Sequence, residues 1–141
     1  METATKPTIT VETKIKAPVE KVWQFWSAPK HIVKWCSASD DWHTPKAEND
    51  LRVGGKFSSR MEAKDGSFGF DFGGVYDQVK EYELIEYTLG DDRKVSIHFT
   101  LNGNETKLVE TFDAETTHSI DMQRDGWQAI LNNFKKYVEA N

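Results

Sequence analysis

Glu110 is the residue whose setting bears most directly on chemistry. It stands in the run Leu108, Val109, Glu110, Thr111, Phe112, which alternates as a strand does. Two registers are open. In one, Leu108, Glu110 and Phe112 face a dry interior, and loss of water raises the carboxyl pKa toward that of a general acid or base. In the other, Val109 and Thr111 face inward and Glu110 meets solvent. A short strand does not set its own register. Cys36 is the single cysteine. A nucleophilic thiol needs a base within reach and a lowered pKa. The nearest base in sequence, His31, lies a little over one helical turn away, and the reading is a buried, inert thiol. His31, His43, His98 and His118 lack metal-ligand spacing, so no metal is expected. His98 alternates with Ile97 and Phe99 and is expected in solvent. Asp40, Asp41, Glu48 and Asp50 make an acidic loop without the EF-hand pattern. Gly54-Gly55 lacks the context of a phosphate loop and reads as a backbone bend where two strands meet. Asp50 and Arg52 pair with each other or with a helix end.

The aromatic residues are the second lead. Trp26, Trp35, Phe57, Met61, Phe70, Tyr76, Tyr87, Phe99, Trp127, Leu131 and Phe134 all have the strand parity or helical face of interior positions. Side chains of these types are ordinary core. They are also what walls a ligand pocket, which is mostly apolar with a few polar groups for orientation.

The elements that must position these residues follow from periodicity. Ile9, Val11, Thr13 and Ile15 alternate over residues 8–16, a half-buried strand. Val19, Val22, Trp23 and Trp26 follow Pro18 at helical spacing, and Ser27-Ala28-Pro29 ends that helix and begins a short one with Ile32, Trp35 and Cys36 on one side. Residues 37–49 read as polar and irregular, with Trp42 among Asp40, Asp41 and His43. Five or six strands come next, carrying Phe57–Met61, Phe68–Tyr76, Ile85–Leu89, Val95–Leu101 and the Glu110 run. Asn102-Gly103-Asn104 marks a hairpin. Trp127, Ile130, Leu131, Phe134 and Val138 then form the apolar stripe of a helix from about Ile120 to Ala140. That helix must bury its stripe on the dry face of an antiparallel sheet. Gly126 within it suggests a bend or a close backbone approach.

Composition bounds the function. The chain of 141 residues suits one domain, with residues 1–7 a loose tail and 8–141 the folded unit. Eight Phe, four Tyr and five Trp argue against disorder. A net charge of −5 disfavours nucleic acid as a partner. Membrane insertion is not expected, since no apolar run approaches the roughly 20 residues a spanning helix needs. One cysteine and a polar beginning point to the cytoplasm.

The order strand, two short helices, a run of strands, long helix resembles the helix-grip fold of the START-like (SRPBCC) superfamily. VETKIKAPVEKVWQFW (11–26) and SAPKHIVKW (27–35) are similar to that family's opening. DLRVGGKF (50–57) and Gly126-Trp127 with Leu131 resemble its branch of activator-of-heat-shock-protein-90-ATPase homologues. The resemblance covers residues 8–140. It implies an α+β fold in which a curved antiparallel sheet wraps the long C-terminal helix around a cavity. Val53 stands where the branch often has proline, and Gly73-Gly74 suggests a bulge or sharp bend. Superfamily members bind lipids, sterols, polyketides, plant hormones and flavonoid-like molecules. The resemblance therefore implies a cofactor-free monomer that binds a lipid-like or planar polycyclic molecule through the eleven residues named above. Two other functions are carried with it. One is a co-chaperone-like module acting on a heat-shock ATPase in a stress response. The other is a small cyclase or hydrolase using a carboxylate such as Glu110.

Overall fold

The computed structural model describes residues 7–37 and 39–141. Of the tail expected over residues 1–7, only Pro7 lies among them, and its carbonyl accepts the Ala114 N–H at 2.9 Å. The elements run β1 (Thr8–Ile15), α1 (Val19–Ser27), α2 (Pro29–Trp35), β2 (Trp42–Asn49), β3 (Lys56–Ala63), β4 (Gly69–Lys80), β5 (Leu84–Leu89), β6 (Lys94–Asn102), β7 (Glu105–Asp113) and α3 (Ile120–Ala140). One curled, antiparallel sheet of seven strands is ordered β1-β7-β6-β5-β4-β3-β2. With α3 against it and two short helices after β1, this is the helix-grip arrangement. No helix among the described residues is long and apolar enough to cross a membrane.

The alternation seen in sequence becomes burial. In β1, Ile9, Val11 and Ile15 are buried while Thr8, Thr10, Glu12 and Lys14 are exposed. On α3 the buried stripe includes Leu131, Phe134 and Val138. Ser119 caps α3, its hydroxyl accepting the Met122 N–H at 3.1 Å. The polar flank of α3 closes the free edge of β1. Gln128 Nε2 donates to Glu12 O at 3.1 Å, Lys135 Nζ donates to Lys14 O at 2.8 Å, and Lys16 N donates to Glu139 Oε2 at 2.8 Å. Covering an edge in this way removes a template for unwanted pairing.

The opposite edge corrects the sequence reading. Residues expected to be irregular contain the edge strand β2, which pairs with β3 through a register shift between His43 and Lys46. Pro45, Lys46 and Glu48 hide the strand from pattern analysis, yet proline and charge are what an edge strand tolerates. Trp42 lies 6.1 Å from the Phe68 ring and 6.0 Å from that of Phe70.

Glycines shape the curl. Gly54 has φ +82 and donates its N–H to Tyr76 O, while Gly55 accepts from Tyr76 N, both at 2.9 Å. This is the turn between β2 and β3, and Asp50 pairs with Arg52 across it at 2.9 Å. Val53 there is exposed. No bulge occurs at Gly73-Gly74. The β3–β4 register is continuous there, and the β4–β5 shift falls between Tyr76 and Gln78. The pair is instead a close approach of three strands: a Cβ on Gly73 would lie 2.4 Å from Phe57 O, and one on Gly74 2.3 Å from Thr88 O. Gly74→Ala is expected to destabilise the fold by about 1–3 kcal/mol, because backbone has to move. Urea unfolding checks this as a lowered midpoint at unchanged slope.

Candidate functional site

The space between α3 and the sheet is a partly open cavity of about 250 Å³. Its near wall is Trp26 of α1 with Trp35 and Cys36 at the end of α2. Trp26 and Trp35 stack with centroids 4.9 Å apart, and the Trp35 indole donates to Phe25 O at 3.0 Å. The sheet contributes Met61, Phe70, Phe72, Tyr87 and Glu110, and Arg93 joins them from the turn before β6. Trp127 and Ile130 of α3 complete it. Trp127 lies flat on Phe112, 3.8 Å between centroids and 12° between planes, so a fixed ring forms that wall. A vestibule of about 390 Å³ shares Met61, Phe70, Trp127 and Ile130 with the cavity and is bordered by Met122 and Gly126. A Cβ on Gly126 would meet nothing within 4 Å. The glycine therefore marks neither a close approach nor, within the continuous α3, a break; it leaves space at the mouth.

The sheet sets the orientation of Glu110. The two-residue turn Gly103-Asn104, with φ +66 at Gly103, pairs Asn102 with Glu105. Counting inward, Phe99 opposes Leu108 and Ile97 opposes Glu110, while on the other side Val11 opposes Glu110. Residues directly opposite in a ladder share a face, so the carboxyl goes in with Ile97 and Val11. Only 5% of the residue is exposed, and burial pushes its pKa up to about 8. Among the described residues it has no ion-pair or side-chain hydrogen-bond partner. Burial likewise pushes the Cys36 thiol up to about 12 and the Tyr87 hydroxyl well above its ordinary value. Arg93 is held by Asp91, Nε to Oδ2 at 2.7 Å.

Comparison with known proteins places this architecture. The family described as activator of Hsp90 ATPase homolog 1-like protein matches residues 16–139. The chain belongs to this family. The AHSA1-like protein from Aeromonas hydrophila, solved by NMR, is 45% identical over 95% of this chain and 93% of its own, with a TM-score of 0.89. Chr148 from Cytophaga hutchinsonii is 59% identical over 95% of this chain and 93% of its own, with a TM-score of 0.82. Protein CV1439 from Chromobacterium violaceum has the same fold at 24% identity and a TM-score of 0.85, covering 96% of this chain and 99% of its own. Among curated proteins, none matches the chain.

In this AHSA1-like chain the eleven expected site residues divide into three groups. Trp26, Trp35, Met61, Phe70, Tyr87 and Trp127 line the cavity, although Phe70 is a rim residue, 41% exposed, rather than an interior one. Phe57 and Tyr76 border a deeper void of about 60 Å³, where the Tyr76 hydroxyl donates to Asn49 Oδ1 at 2.5 Å. Phe99, Leu131 and Phe134 line neither space. They are packed core behind the tryptophans, because the same helical and strand faces supply both wall and floor. Phe72, Ile130 and Arg93 were not anticipated as lining residues. Phe72 has the parity of Phe70, and Ile130 is in the α3 stripe; Arg93 carries no signal in a turn sequence.

The remaining candidates resolve simply. His31 does not serve Cys36: its Nδ1 is 2.7 Å from the Tyr137 hydroxyl, and its ring stacks on Phe25 at 3.9 Å. His98 is exposed as expected. No cluster of three or more potential metal ligands occurs among the described residues.

Proposed function

We propose that this AHSA1-like protein binds a small hydrophobic molecule, lipid-like or planar polycyclic, in the cavity between α3 and the sheet. The observation that carries the reading is an aromatic-walled space of about 250 Å³ beneath Trp127. That lies just below the usual range of ligand-pocket volumes, roughly 300–1,000 Å³, and favours a ligand of one or two rings or a short chain extending into the vestibule. Burial of its apolar area supplies the driving force, about 25 cal/mol per Å² less the ordering cost. No cofactor is invoked, and the proposed setting is a cytoplasmic monomer.

Intrinsic tryptophan fluorescence, titrated with flavonoids, fatty acids and aryl compounds, tests this. Saturable quenching is expected with at least one class. Gly126→Leu, which fills the mouth, is expected to weaken that binding at least tenfold. The fold should hold, because leucine is the better helix former by roughly 0.8 kcal/mol. A chain whose tryptophans respond to no class does not have this function.

The family match favours one other reading, a co-chaperone-like module acting on a heat-shock ATPase. It predicts a changed ATPase rate when saturating protein is added to an Hsp90-type chaperone. An unchanged rate removes it.

A further inference from the structure

Within the binding function just proposed, on which this rests, we infer that the ligand carries a protonated amine and that Glu110 is its counter-charge. The carboxyl is an anomaly in an apolar chamber. The residue is 5% exposed and lines the cavity, opposite Val11 and Ile97 in the sheet. None of the described residues offers it a side-chain hydrogen bond or a cation. No fully buried side-chain polar atom among the described residues lacks a partner, so the carboxyl oxygens of Glu110 open on the cavity, where a ligand can supply the partner that the protein does not.

The rest of the wall selects the sign of that partner. Arg93 lines the same chamber, but Asp91 offsets its charge, pairing with its Nε at 2.7 Å. A ligand carboxylate would therefore meet Glu110 beside an arginine whose charge Asp91 already offsets. An ammonium would meet Glu110 among Trp26, Trp35 and Trp127, a residue type whose ring face attracts positive charge. The chain's net charge of −5 also attracts cations from solution. A chamber of about 250 Å³ equals roughly eight water volumes at ~30 Å³ each. That suits an arylalkylamine with its amine at Glu110 and any further apolar part toward Met61 and Phe70 at the mouth.

Binding such a cation ionises Glu110 and sends its proton to solvent. The other titratable or charged groups lining the chamber are Tyr87 on β5, Cys36 after α2 and Arg93 before β6. Burial holds the tyrosine and cysteine protonated. The proton is therefore traceable to Glu110.

Three isosteric probes test the inference: 3-phenylpropylamine, 3-phenylpropanol and 3-phenylpropionate, titrated by tryptophan fluorescence into the native protein and Glu110→Gln at pH 7. The amine is expected to bind the native protein at least tenfold more tightly than the alcohol or carboxylate. Glu110→Gln should abolish that preference while alcohol affinity stays within threefold. Calorimetry in two buffers of different ionisation enthalpy needs no variant, and should report release of close to one proton per amine bound. Alcohol binding without amine preference, amine preference that survives in Glu110→Gln, or no proton release overturns the inference and leaves the cavity reading standing. Absence of binding by all three probes overturns the inference alone where flavonoids or fatty acids still quench the tryptophans, and overturns both readings where nothing does.

Discussion

Glu110→Gln is expected to make the protein more stable than the native chain at pH 8–9 and about equally stable at pH 4–5. Glutamine has the shape of the protonated acid but does not titrate. The native carboxyl has a folded pKa near 8, raised by burial, against an ordinary value of 4.5. Between those values the folded state holds a proton that the unfolded state has released. The native protein therefore binds more protons folded than unfolded, and its stability falls as pH rises. The stabilising proton is fully present below the unfolded value and is lost as pH climbs through the folded one. At about 1.4 kcal/mol per pH unit, the ceiling on this loss is on the order of 5 kcal/mol. Urea unfolding of both proteins at pH 5, 7 and 9 measures it. Curves that stay parallel across this range would mean that Glu110 does not titrate from a buried site. The same penalty gives a ligand ammonium its advantage, since the ion pair replaces an unpartnered acid.

Phe134→Ala is expected to cost about 3–5 kcal/mol and to lower the melting temperature by roughly 10–15 °C, at the few degrees per kcal/mol usual for a domain of this size. Phe134 is 0% exposed and meets Trp26 and Trp35 edge-on, with centroids 5.0 and 4.7 Å away. Its removal opens a void beneath the stacked tryptophan pair and leaves one cavity wall without a floor. Binding should weaken along with stability. Phe70→Ala separates the two effects. Phe70 borders the same cavity but is 41% exposed, so its truncation should cost under about 1 kcal/mol while still altering the mouth. Thermal denaturation of the pair decides between core and rim. Equal losses would show that the cavity wall is a single cooperative unit.

These two residues also mark how far the chain could be read before folding. Phe134 was recognisable as interior from the spacing of the α3 stripe, but not as floor rather than lining, since both occupy the same helical face. Glu110 could not be assigned a side from its own strand. The missing signal was nonetheless local: counting from the Gly103-Asn104 turn through Phe99–Leu108 and Ile97–Glu110 sets the register. The edge strand β2 was illegible for another reason. It pairs on one side only and carries Pro45 and several charges, so its sequence lacks the alternation that burial imposes on a central strand.

The sequence by itself determined the fold class, the order of the elements other than β2, the inward face of α3 and β1, and the family resemblance. Those depend on periodicities of two and 3.6 residues and on short motifs, which are properties of contiguous chain. Tertiary structure alone decided where a space is left and which polar groups it encloses. Glu110, Cys36, Tyr87 and Arg93 come from four separate segments, and no window of sequence contains their meeting. Whether a buried carboxyl has a partner is likewise a fact about three-dimensional neighbours. Burial and the lack of a side-chain partner among the described residues, not the residue type, make Glu110 the protonated acid of this cavity.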